Sequence, residues 1–255
     1  MAQLAAAHPG KMGDALYSLP AMRYIYGQTG SHFDFYTSEY CEPLRTLFEY
    51  QPYINNFIVS DTYKVERTDM GCQPAHVPIP DKYDAVYQFG FTEIPDTSLH
   101  QYMARKVGIN VDLGVRYEYP EMTESFKKML RDQGVTPGEY VVLAPRNPSS
   151  YQALFNELAE RLPAVIIGLE HEYDGYGIDM TGLDFLETCT ILSQARAFIG
   201  LMSSQLVLAN GFDIPRIAPH DARSWDMRHV VNTHLNHYPV MSDVETLIRL
   251  TEGSH

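Results

Sequence analysis

Leu4-Ala5-Ala6-Ala7-His8, then Pro9-Gly10-Lys11-Met12-Gly13-Asp14, then Ala15-Leu16: the fold class is decided by this stretch. The first five residues read as a short run of the buried type, a strand with little polar surface. Pro9 and two glycines mark a turn. Leu16, Leu19, Met22 and Tyr26 then recur on one face of a helix. Pro20 lies inside that helix and predicts either a kink or a late start. A strand, a glycine turn and a helix make the opening of a βαβ unit.

The same alternation continues outward. Strands are expected at Phe33–Thr37, Phe57–Val59 and Ala85–Phe89, and helices at Tyr40–Tyr50, Ser98–Val107 and Met122–Gln133. Residues 61–82 are mostly polar with one glycine and three prolines, and read as a long loop; 109–120 read as irregular. Gly134 sits where a helix stops, and Val135-Thr136-Pro137-Gly138 reads as a linker. A second block repeats the pattern. Its strands are expected at Val141–Ala144, Val165–Gly168, Phe198–Gly200 and Pro215–Ala218. Its helices are expected at Tyr151–Leu162, Leu183–Ala195, Ser203–Gly211 and Val244–Thr251, with a Gly, Tyr and Asp loop over 171–177. The fold class is therefore α/β, with two parallel sheets.

Composition agrees. The 255 residues suffice for two small α/β domains, and 45% apolar against 20% charged residues describes a globular chain. No apolar run is long enough to span a bilayer, and the N-terminus does not read as a signal peptide. Gly253-Ser254-His255 reads as the start of a cloning scar. Cys41, Cys72 and Cys189 are far apart and form no C-x-x-C pair, so they read as free, buried thiols of a reducing cytoplasm. A net charge of −13 argues against a protein that coats nucleic acid. His229, His234 and His237 cluster, but two at i, i+3 do not make a metal site without a third ligand, and they read as loop or surface histidines.

Two segments carry chemistry. In Gly10-Lys11-Met12-Gly13-Asp14, glycines let the backbone approach a ligand and the helix start favours an anion. The spacing is neither that of a P-loop nor that of a dinucleotide fingerprint. Asp14 reads either as an N-cap or as a catalytic carboxylate. In Ile199-Gly200-Leu201-Met202-Ser203-Ser204-Gln205, a strand ends and two hydroxyls open a helix, as caps or as a phosphate site. Without a G-x-S-x-G elbow, Ser/His/Asp hydrolysis finds no support.

Gly10 to Leu16, followed by Leu19-Pro20-Ala21-Met22-Arg23, resembles the G-x-x-G-D-x-hydrophobic … P-A-hydrophobic-[RK] opening of glycosyltransferase family 9, the heptosyltransferase family. Asp179 to Pro215, with Thr181-Gly182, the Leu186–Ala195 helix and Ala197-Phe198-Ile199-Gly200, is similar to a second family segment. Val141-Val142-Leu143-Ala144-Pro145 is similar to the strand that opens the family's donor domain. The resemblance implies a GT-B architecture: two Rossmann-like domains facing across a cleft, 1–135 on the acceptor side and 136–255 binding the nucleotide-sugar donor. It implies Asp14 as the base that deprotonates an acceptor hydroxyl. Ser203 and Ser204, with Gln205 next to them, match the donor's phosphate turn. Arg146, Asn147, Ser149 and Ser150 fall where the family contacts phosphate. Glu170 and His171 fall where ribose or base would be met. Lys11 adds positive charge, and Gly13 belongs to the same motif. The family's fold class generally requires no metal, so a nucleotide sugar is the only small molecule implied, as co-substrate.

This chain departs from the family in two ways: it is short, with trimmed acceptor-domain loops expected, and its second segment is altered. Met202-Ser203-Ser204 stands where the family has Asp-[Ser/Thr]-Gly, and Gln205 and Val207 replace Pro and His. A heptose donor is therefore not implied. A non-catalytic nucleotide-sugar binder and a nucleotide-sugar epimerase remain alternatives on the same fold. The hydroxyl acceptor is a glycan, a small metabolite or a hydroxylated base in nucleic acid.

Overall fold

The computed structural model describes residues 2–60, 78–91, 97–145, 151–168, 175–219, 235–237, 239 and 244–252. They fall into two compact units, the first running to Tyr119 and the second starting at Pro120. The boundary expected after residue 135 lies within the second unit, which includes the helix before the Val135–Gly138 stretch.

The first unit holds a parallel sheet of β1 (Leu4–His8), β2 (Phe33–Thr37), β3 (Ile54–Val59) and β4 (Ala85–Gln88), in the order β3-β2-β1-β4. β1 is central and buried throughout, as its apolar run requires. It pairs with β2 from Leu4↔Phe33 to His8↔Thr37, and with β4 from Leu4↔Ala85 to Ala7↔Gln88. The chain builds outward on one side of β1 and then crosses to the other, so a topological switch lies between β1 and β4. Open α/β sheets bind ligands at the carboxyl ends of strands beside such a switch.

Pro20 produces a late start. α1 is a single short turn (Met12–Leu16), and α2 (Leu19–Thr29) begins afresh with Pro20 in its first turn, where its missing N–H costs no bond. The helix expected over Tyr40–Tyr50 divides in the same manner. A 3-10 segment covers Glu39–Leu44, with Pro43 inside it, before α3 (Arg45–Tyr50). Phe35, Phe48 and Phe57 then pack β2, α3 and β3 together, with ring centroids 4.6 to 5.8 Å apart. α4 (Leu99–Lys106) buries Leu99, His100, Met103 and Ala104.

α5 (Glu124–Asp132) opens the second unit. Thr123 caps it by accepting the Phe126 N–H, and Gly134, at φ +79, ends it as expected. The parallel sheet that follows has the order β10-β9-β8-β5-β6-β7. Its strands are β5 (Val141–Ala144), β6 (Ala164–Ile166), β7 (Ile178–Asp179), β8 (Ala197–Gly200), β9 (Arg216–Ile217) and β10 (Asn236–His237). Again the first strand, β5, is central, and the switch lies between β5 and β8. α6 (Gln152–Arg161) and α9 (Val244–Thr251) close one core, with Phe155, Leu158 and Leu247 on Val141, Leu143, Ile166 and Ile199. α7 (Phe185–Leu192) starts at a capping box made by Asp184 and Glu187. α8 (Ser204–Ala209) follows β8.

Two glycines have clear physical causes. Gly200 pairs with Ala144, and a Cβ there would stand 2.5 Å from the Phe198 ring and 2.9 Å from the Ala144 Cβ. Gly182 takes φ +81 in a turn built by Asp179, whose Oδ1 accepts both the Thr181 N–H (2.9 Å) and its hydroxyl (2.6 Å). Asp179-Met180-Thr181-Gly182, one of the resembling motifs, thus works as an Asx-type turn that returns the chain from β7.

Candidate active site

The turn after β1 carries the only expected catalytic residue. Lys11, with extended backbone, occupies the N-cap of α1 and makes no side-chain cap bond; Asp14 sits one turn further on, at the third helical position. Asp14 is therefore not the N-cap. Burial disfavours the charged form and raises its pKa from 3.8 to about 7, against the opposing pull of the Lys11 charge and backbone. A carboxylate poised near neutrality beyond the carboxyl end of a central strand has the proton affinity a general base needs.

Asp34, in the same unit, shows the opposite case. It is buried, and burial works against its charge. Tyr83 (2.7 Å), Asn56 (2.7 Å) and Asn55 (3.0 Å) all donate to it, and Lys82 stands 3.9 Å away, so its pKa falls below the ordinary value. Three protein donors already hold its two oxygens, which marks it as structural. Asp14 has no side-chain donor of this kind among the described residues.

Sequence reasoning missed several neighbours of the turn. His8 ends β1 fully buried; its Nδ1 accepts the Gly10 N–H at 3.0 Å, and its ring meets the edge of Phe91. Cys41 donates its thiol to the Gly10 carbonyl at 3.2 Å. Thr37, at the end of β2, donates to the His8 carbonyl at 2.8 Å. Lys106 reaches from α4 to the Gly90 carbonyl, and burial lowers its pKa. The one available signal was His8 itself, a polar residue closing an apolar run. Cys41 and Lys106 belong to other elements, and nothing local pairs them with the turn.

In the second unit, Ser203 takes the N-cap position of α8, but its hydroxyl does not cap: Oγ is buried and has no hydrogen-bond partner among the described residues. Ser204 donates to Gln205 Oε1 at 3.2 Å. The Leu201 N–H reaches the Ala144 carbonyl at 3.4 Å, so the chain leaves β5 and β8 from adjacent strand ends, beside the switch. Lys11, Gly13 and Asp14 are thus brought together in one unit, and Ser203, Ser204 and Gln205 in the other. Arg146, Asn147, Ser149, Ser150, Glu170 and His171 lie outside the described residues, as do Cys72, His229 and His234. His237 lies in β10, and its carbonyl accepts the Ala218 N–H. Among the described residues no group of three His, Cys, Asp or Glu side chains is placed to hold a metal ion, and no helix is long and apolar enough to cross a membrane.

No family model and no curated protein matches the sequence. Solved structures do match the fold. A glycosyl transferase family 9 protein from Veillonella parvula aligns over 99% of this chain and 89% of its own, with a TM-score of 0.64 at 13% identity. The Escherichia coli heptosyltransferase WaaC, solved with ADP, aligns over 99% and 100%, with 0.62 at 11%. The iron-containing, dodecameric glycosyltransferase TibC of enterotoxigenic E. coli aligns over 91% and 63%, with 0.57 at 18%. The chain has the heptosyltransferase-like α/β fold classed as GT-B, with one parallel sheet in each of its two units.

Proposed function

We propose that this chain is an inverting glycosyltransferase that moves a sugar from a nucleoside diphosphate donor to a hydroxyl acceptor. Asp14 carries the reading: a carboxylate held near neutral pKa, in the strand-turn-helix of the first unit, at the carboxyl end of β1. In the proposed step the acceptor oxygen attacks the anomeric carbon as its proton passes to Asp14. The bond from that carbon to the diphosphate breaks, and the leaving group departs with the electron pair.

The second unit is assigned the donor. Ser203 supports this, because a buried hydroxyl without a partner among the described residues is an available donor to phosphate oxygen. Ser204 and Gln205 follow it on α8. Arg146, Asn147, Ser149, Ser150, Glu170 and His171 are assigned to the same donor on the resemblance alone. WaaC has been solved with ADP and TibC with ADP-D-β-D-heptose, so ADP-sugars head the donors to be tried here. The reaction is proposed to need no metal, the diphosphate being stabilised by fixed dipoles and hydroxyls. Two buried free thiols, Cys41 and Cys189, support a reducing compartment.

Asp14→Asn tests the reading. It should abolish transfer and leave donor affinity, measured by calorimetry, nearly unchanged. Full transfer by that variant would remove Asp14 from the mechanism.

A further inference from the structure

We propose that the amino end of the first sheet carries a carbohydrate site, separate from the Asp14 turn, where Asn55 and Asn56 hydrogen-bond the hydroxyls of a sugar residue. A cleft of about 380 Å³ opens there, and Gln3, Asp34, Asn55, Asn56, Lys82 and Tyr83 line it. That volume falls within the range of small-ligand sites, roughly 300 to 1,000 Å³. Asp14 lies past the other end of β1, and the five residues of that strand put roughly 15 Å between the two places.

A slip in strand register builds the site. Phe33 pairs with Ile54, but Asp34 pairs with Asn56, so β3 carries Asn55 as an extra residue. Successive residues of a regular strand point to opposite faces. Here both carboxamides reach one oxygen: Asn55 Nδ2 donates to Asp34 Oδ1 at 3.0 Å, and Asn56 Nδ2 donates to it at 2.7 Å. Re-aiming a side chain is a recurrent use of such irregularities. Tyr83 donates to the other oxygen, Oδ2, at 2.7 Å. The Gln3 N–H donates to Asp84 Oδ2 at 2.7 Å and the Asp84 N–H to the Gln3 carbonyl at 2.8 Å, which ties the Lys82-Tyr83 wall to the start of β1. The polar groups are thus held in place before a ligand arrives.

Asp34 is the hub of the site and the asparagines are its contacts. Each spends one N–H on Asp34 and keeps a second N–H and its Oδ1, and both residues are exposed. A carboxamide offers a donor and an acceptor side by side, as a hydroxyl does, so two adjacent carboxamides match neighbouring hydroxyls on a sugar ring. Charge favours a neutral ligand. Lys82 Nζ stands 3.9 Å from Asp34 Oδ2 and 4.9 Å from the centre of the Tyr83 ring, and it offsets the carboxylate. Neither an anion nor a metal cation therefore meets an uncompensated charge. The site holds a sugar without chemistry, and so stands whether or not Asp14 acts as a base.

The test is an NMR titration of the nitrogen-15-labelled full chain with the methyl glycosides of glucose, galactose, mannose and N-acetylglucosamine. The side-chain amide signals of Asn55 and Asn56 are followed, assigned by difference from Asn55→Ala and Asn56→Ala. One glycoside at least should shift both sets of signals, with a Kd on the order of 1–10 mM, as a few hydrogen bonds at an open site predict. Inorganic phosphate and calcium chloride should leave them in place. Either alanine variant should weaken the binding about tenfold, read from the glycoside's own signals by saturation transfer. Signals unmoved by every glycoside, signals moved as much by phosphate or calcium, or affinity unchanged in both variants would each overturn the assignment. Should a variant fail to fold, the wild-type titration decides alone, because the two carboxamides report on their own contacts. No donor and no turnover enter the measurement, so a chain that transfers no sugar would sink the proposed activity and leave this site to be judged separately.

Discussion

Asp14→Asn is expected to make the protein more stable above neutral pH even as it removes the base. Asp14 titrates near 7 when folded, against 3.8 for the free side chain. A raised carboxyl pKa means the folded chain holds a proton that the unfolded chain has released. Stability is therefore full below the unfolded value, falls as pH rises from 3.8, and levels off above 7. A gap of one pH unit between the folded and unfolded midpoints is worth about 1.4 kcal/mol, which sets an upper bound of ~4 kcal/mol by pH 8. Asp14 is partly exposed, and solvent screening brings the expectation to roughly 1–3 kcal/mol. Asparagine has nearly the same shape and carries no charge to desolvate. Its advantage over the wild type should be negligible at pH 4 and reach that value at pH 8, read by urea unfolding with far-ultraviolet circular dichroism. An advantage equal at both pH values, or a loss at pH 8, would refute the claim that burial raises this carboxyl.

Transfer should rise with pH through about 7 as Asp14 ionises, and a rate flat from acid to alkaline pH would exclude a base with this proton affinity. Ser203→Ala should cost no stability, because the hydroxyl has no partner among the described residues to lose, while donor affinity by calorimetry falls about tenfold. A destabilised variant with unchanged affinity would make Ser203 a structural cap. Gly200→Ala would force a Cβ to 2.5 Å from the Phe198 ring, and should lower stability by about 1–3 kcal/mol in thermal unfolding.

Much of this fold was legible because parallel sheets bury both faces. The apolar runs at Leu4–His8 and Val141–Ala144 are the central strands of their sheets, and the helices over 185–192 and 204–209 fall inside the expected ranges. β7 and β10 were not legible: at two residues each they carry no period, and only pairing with β6 and β9 makes them strands. Pro43 splits a helix whose apolar spacing read as continuous, whereas the late start at Pro20 was one of the two outcomes its position predicted. At the site, Asp14 stood out through its motif, but its role as an N-cap was excluded only once Lys11 was seen to occupy that position. Cys41 and Lys106 come to this region from other elements, Lys106 from 96 positions beyond Gly10, a distance no local pattern reports.

The claim that this chain moves sugars is met most directly by following donor consumption and product together. Wild-type protein is incubated with ADP-, UDP-, GDP- and CDP-sugars, with and without a panel of hydroxyl acceptors, and the mixture is resolved by mass spectrometry. One donor should release its nucleoside diphosphate only when an acceptor is present, with the sugar recovered on that acceptor. Donor that binds and is never consumed, or donor converted to an isomeric sugar with no acceptor in the tube, would contradict it.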